Sequence, residues 1–247
     1  MTPQQARVLV VADPHDPGMR AVTVLANRIA PGTVALAGPS ELAKARWHQT
    51  ITASGTVMTR VRLVSGQEIS PTVVWCTVEH MLADGRFSEA DAAYASTEFT
   101  ALVNSWLLSL GKGCVNIPDG QCCAGPSWGG SRWRAEARRA GLAAPDPPRA
   151  TSGRMVGGGL SPWEVTAPFA REAVRVSSVL VTGDGVEGAW TEGVAESCLR
   201  LARAAQCRIL AVDFDEQQRV CHAGPLLAVA NGTHIRALAR YLAAGAP

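Results

Sequence analysis

The chain has 247 residues, of which 47% are hydrophobic and 18% charged, and a formal net charge of +2. That length supports a sizeable core, and the balance excludes a disordered chain. It gives no support to a nucleic-acid binder, because arginines are spread along helical stretches such as RWRAEARRAG, as on a solvated face.

RVLVVAD predicts a buried strand, and after the turn DPHDPG the apolar spacing of MRAVTVLANRIA predicts a helix closed by Pro31-Gly32. TVALAGPSEL reads as a second strand and turn. TVMTRVRLVSGQEI alternates around Ser65-Gly66 as a hairpin does, and PTVVWCTVEH is an apolar strand leading to Cys76, Glu79 and His80. The longest helix is SEADAAYASTEFTALVNSWLLSLG, in which Phe99, Leu102, Val103, Trp106 and Leu107 recur at three and four residues. GCVNIP is a short strand. The loop DGQCCAGPSWGG leads into the helix SRWRAEARRAGL, for which Ser131 is the expected cap. APDPPRATSGRMVGGGLSPWEV, rich in proline and glycine, marks a boundary. Beyond it come strand–turn–strand in REAVRVSSVLVTGDGVEGAWTEG, the amphipathic helix TEGVAESCLRLARAAQC, the strands RILAVDF and RVCHAG, and the closing helix GTHIRALARYLAAG. The pattern predicts an α/β protein: an open, parallel-type N-terminal sheet over 1–112, a linking strand, loop and helix over 113–150, and an α+β lobe over 151–247.

The opening MTPQQARVLVVADP lacks the basic start and apolar run of a signal peptide, and no segment approaches the roughly 20 apolar residues of a membrane helix. A cytoplasmic protein with no membrane partner is expected, its seven cysteines reduced. Lys44 and Lys112 are the only lysines, so a site that needs several is ruled out.

Taken in order, these segments resemble the ATP-grasp superfamily, specifically the small carboxylate–amine ligases that modify peptides. VLVVADPHDPGMRAVTVLANRIAPG is similar to their leading strand and helix, and YASTEFTALVNSWLLSLGKGCVNIP to their tyrosine–glutamate helix and asparagine–proline strand. CLRLARAAQCRILAVDF resembles their final helix and metal-bearing strand. The resemblance implies a nucleotide held between two lobes by lysines, with Mg²⁺ on the last strands. The chain departs from that pattern. Gly130 or Ser131 stands where the linking-helix lysine belongs, and the middle lobe must fit between Ala150 and Arg171 without a lysine. Ala223 and Pro225 replace the Mg²⁺ ligands, leaving Asp213 or Asp215 alone. The glycines of MVGGGL (155–160) lack the GxxxxGK[ST] spacing and read as a trimmed linker. The expectation is a degenerate ATP-grasp-like fold whose middle lobe is largely missing, with no cofactor.

The candidate groups follow from this. His222, Asp213, Cys76 and His80 are candidate acid–base or nucleophilic groups. Trp128, Arg132 and Trp133, with Glu79, Asp215 and Cys221, are candidates for binding a substrate or partner. Cys114, Cys198 and Cys207 read as core. Cys76, His80, Cys122 and Cys123 lack any standard zinc spacing, so no metal is expected. Three functions stay open: a silent ligase relative that binds a peptide, an amino-acid derivative or a biosynthetic partner enzyme; an ATP-independent enzyme reusing the same cleft; and a divergent active ligase. A homodimer is compatible with each.

Overall fold

The computed structural model describes residues 6–53, 55, 57–82, 87–145, 177–226, 229 and 231–245. The proposed remnant of a middle lobe, the MVGGGL run and part of the 151–247 lobe lie outside them.

The N-terminal sheet is parallel, in the order β2-β1-β6, with β1 at Val8–Val11, β2 at Val34–Ala37 and β6 at Val73–Cys76. Apolar runs such as VLVV and VVWC suit a sheet buried on both faces. On one face Val8, Val10 and Trp75 pack against α1 (Pro17–Ile29) and α6 (Gly232–Ala243). On the other, Leu9, Val11, Val74 and Cys76 pack with Trp106 and Leu107 of α3 (Glu89–Ser109). Asp16 caps α1, accepting from the Gly18 and Met19 amides at 2.7 and 3.1 Å, and Pro17 sets the first turn. Gly18 is required there, since a Cβ would fall 2.0 Å from the Val229 carbonyl oxygen.

A second sheet runs β3-β4-β5, from Arg46–Ile51, Val57–Arg62 and Glu68–Ile69. The turn at Ser65-Gly66 is where the alternation predicts it, with Gly66 at φ +86°. The strand β3 and the short helix α2 (Pro39–Lys44) carry no such signal.

The third sheet is antiparallel in the order β10-β9-β7-β8, comprising Val220–Gly224, Ile209–Phe214, Ser177–Thr182 and Gly185–Glu187. One face buries Val179, Leu210, Val212 and Phe214 against α4 (Gly130–Arg139) and α5 (Glu192–Ala204). The expected cap Ser131 lies inside α4: Gly129 occupies the cap position, with extended backbone and no side-chain hydrogen bond. GCVNIP forms two isolated bridges, Cys114 to Val74 and Asn116 to Cys207, instead of a continuous strand. The buried Asn116 side chain supplies the missing ladder. Its Nδ2 donates to the Ile209 carbonyl, and its Oδ1 accepts from the Arg208 and Ile209 amides, each at 3.0 Å. One amide thereby joins the N-terminal sheet to the last one.

Candidate functional site

Open α/β sheets collect ligands beyond the C-terminal ends of their strands. There the sequence-predicted residues separate into two cavities. A crevice of about 210 Å³ is lined by Glu79 after β6, Trp128 of the loop, Trp133 and Arg134 of α4, and Cys221 and His222 of β10. A cavity of about 670 Å³ takes His80, with Asp13, His15, Lys44 and Val78. Glu79 and His80 are adjacent, yet they serve different spaces, and His80 is not brought to His222.

The loop owes its shape to Asp119, which belongs to no motif in the sequence. Its carboxylate accepts from the Gln121 and Cys122 amides at 3.1 and 3.3 Å, and from the Ser127 amide and hydroxyl at 2.7 Å each. Partial burial pushes its pKa up, but these bonds outweigh it and hold the carboxyl below the usual range. The Asp-Gly pair opening the loop is a turn signal that could have found it. Two further ties fix the loop against both sheets. The Cys123 amide donates to the Glu79 carbonyl at 2.9 Å, and Gly125, at φ +140°, packs so close that a Cβ would meet the Pro225 side chain at 3.1 Å.

Trp128, half-buried, packs at a tilt of 48° on Trp133 with ring centroids 4.7 Å apart, and the Arg132 guanidinium lies 4.2 Å from the Trp128 centroid. Trp133 itself is core, 5% exposed. The surface offered is therefore Trp128 with its cation, not both rings.

Across the crevice, His222 is in register with Asp213, its Nδ1 3.6 Å from Oδ2. The imidazole is 62% exposed and the carboxylate 13%. The Cys221 thiol donates to the Asp213 carbonyl at 3.3 Å; burial, and then the Asp213 charge, push its pKa up. Beyond His222 the strand ends with Ala223 and Gly224, and Pro225 follows; none of the three brings a charge. Among the described residues, no three His, Cys, Asp or Glu side chains gather as a metal-binding group.

Asp215 and Cys76 do not line either cavity. Asp215 is buried in the β9–β10 turn, accepting from the Gln217 and Arg219 amides at 2.9 Å each and from the Arg219 guanidinium. Cys76 is buried among apolar side chains, its thiol 3.6 Å from the Val78 carbonyl, and burial above all holds its pKa well above the ordinary thiol range. A thiol in that condition is a poor nucleophile.

No protein-family model matches the sequence, and no curated protein does. Solved structures do. The RiPP-associated ATP-grasp ligase of Chryseobacterium gregarium, in complex with ADP and a leader and core peptide, is 10% identical, with a TM-score of 0.64 over 98% of each chain. Macrocyclase MdnC of Microcystis aeruginosa, bound with precursor peptide MdnA, is 12% identical at a TM-score of 0.63, over 95% of this chain and 98% of its own. The ATP-grasp ligase PsnB, complexed with a phosphomimetic variant of its minimal precursor, Mg and ADP, is 16% identical at 0.60, over 97% and 98%. At these identities the likeness establishes the fold, which is ATP-grasp-like.

Proposed function

We propose, from the ATP-grasp-like fold this chain shares with peptide ligases, that it binds a peptide segment in the 210 Å³ crevice without activating it through Mg·ATP. The observation that carries this is the facing pair of walls. One presents Trp128, with the Arg132 guanidinium on its ring just outside the lining, and the other presents His222 followed by Ala223, Gly224 and Pro225. A half-buried indole with a cation on its face suits an aromatic or acidic side chain. Among the described residues the lining holds one carboxylate, Glu79, with Asp213 behind His222, where a triphosphate's magnesium calls for more neutralising charge around it. The volume supports the same reading. It is below the roughly 300–1,000 Å³ of drug-sized ligand sites, and gives room for one or two side chains. The Chryseobacterium ligase and MdnC carry a peptide in their complexes and PsnB a variant of its minimal precursor, the first and last together with ADP. Free cysteines throughout support a reducing, cytoplasmic setting.

The test is selection of a random peptide library on the full chain, with a Trp128→Ala, Arg132→Ala double variant as counter-selector, alongside calorimetry with Mg·ATP. Selected peptides should bind the wild type and lose about tenfold or more with the double variant, while Mg·ATP gives no binding heat. Micromolar Mg·ATP binding would overturn the reading in favour of an active ligase.

The His222–Asp213 pair supports a second reading, acid–base chemistry on the bound peptide with the carboxylate behind the imidazole. It requires a selected peptide to be altered in mass on incubation, and a His222→Ala variant to abolish that change without weakening binding.

A further inference from the structure

At the opposite end of β6 from the crevice lies a cavity of about 240 Å³. Its wall carries Lys112, Arg203 and Arg208, and among the described residues no Asp or Glu side chain lines it. Each cation is placed by backbone that tolerates little movement. Lys112 sits in the turn Gly111–Gly113, where Gly111 adopts φ +53° and a Cβ on Gly113 would fall 2.3 Å from the Thr72 carbonyl oxygen. Arg208 is fixed on both sides of its Cα: its amide donates to Asn116 Oδ1 at 3.0 Å, and its carbonyl accepts from the Gly183 amide at 2.7 Å. Arg203 stands in the last turn of α5 and pairs at 3.4 Å with Asp184, an exposed side chain outside the lining.

The Arg208 guanidinium is anchored inward. Its Nη1 is buried and has no hydrogen-bond partner among the described residues. The thiols beside it do not compensate. Burial pushes Cys114 and Cys207 up to about 12, so both wall positions are neutral. Like charges converging on one space repel. An anion in the cavity relieves that repulsion. Arginine meets phosphate oxygens as a fork and lysine as a point charge, a pairing suited to a tetrahedral oxyanion. The partial negative charge at the α5 C-terminus opposes this by about half a unit and the Asp184 carboxylate on Arg203 by one more, against three cations.

We propose that this cavity is a binding site for a small, doubly charged oxyanion: phosphate, or the phosphoryl group of a small phosphomonoester. It is separate from the peptide crevice and does not depend on that reading.

Thermal unfolding and calorimetry of the full chain test it, with inorganic phosphate, glycerol 2-phosphate or chloride at matched ionic strength. Phosphate or the monoester should raise the midpoint where chloride does not, and the stronger of the two identifies the source. Lys112→Ala, at an exposed position, should weaken that binding about tenfold, while Lys44→Ala, in another cavity, leaves it unchanged. Arg208→Gln should abolish the response and, by removing an unpaired buried charge, raise the midpoint in chloride. Should that variant fail to fold, Lys112→Ala decides. Equal stabilisation by chloride, or an unaltered phosphate response in Lys112→Ala, overturns the site.

Discussion

A carboxylate in a tight turn is defined by the amides it faces, and Asp215 is such a group. Burial pushes its pKa up, but the Arg219 and Gln217 bonds and the Arg219 charge outweigh this and hold it below the usual carboxylate value. A depressed folded-state pKa contributes stability that is present above the ordinary value and lost as pH falls through the folded one. Replacing Asp215 by Asn should therefore lower the thermal midpoint by about 3 °C at pH 7, the scale of one charge-assisted hydrogen bond in a chain of this size. The gap should narrow below about pH 4 and close once the wild-type carboxylate is itself protonated. Scans at pH 7, 5 and 3 measure this. A gap that persists undiminished at pH 3 would show that the Asn change acts through turn geometry and not through charge. The turn matters to the site because it sets β10 against β9, and with it the facing of His222 and Asp213.

At the scale of elements, the joint at Asn116 bears most on the architecture. Its side chain satisfies three backbone groups at the start of β9, so Asn116→Ala strands buried donors and an acceptor together. A loss of about 2–4 kcal/mol follows, read as a lower urea midpoint. The sequence shows where such elements lie better than how they join. The continuous apolar runs of β1 and β6 were legible because both faces of their sheet are buried. Strand β3, RWHQTI, was not, because five of its six residues are exposed and neither face imposes an apolar alternation. GCVNIP reads as a strand, yet a side-chain amide replaces its ladder, which no periodicity records. The candidate site was legible in part for the same reason. Trp128 and His222 follow from loop and strand position. That Glu79 and His80 part into different cavities depends on chain direction beyond a strand end, where period-2 reasoning no longer applies.

For the whole molecule, the seven thiols make a built-in reporter of how two of the three core clusters open. Cys76, Cys114 and Cys123 belong to the cluster beneath α3, and Cys198 and Cys207 to that beneath α4 and α5. Cys122 is buried in the loop at the edge of the crevice. Cys221 alone is half-buried, and its thiol is pushed up by burial and by the Asp213 charge. Thiolate is the reacting species, so native protein at pH 8 should take up about one equivalent of an aromatic disulfide reagent, slowly and at Cys221, and all seven cysteines should react in denaturant. The remaining labelling then measures opening. Cys122 should come next, because its loop is held mainly by the exposed Asp119, and Asp119→Asn should accelerate it. Residues inside the two clusters should follow together, at the rate of global unfolding. A peptide seated between Trp128 and His222 should slow Cys221 specifically, whereas phosphate in the opposite cavity should leave it unaffected and retard only the buried set. Peptide mapping of the labelled cysteines separates these outcomes, and rapid uptake by Cys76 or Cys123 in the native protein would contradict the packing described for the cluster beneath α3.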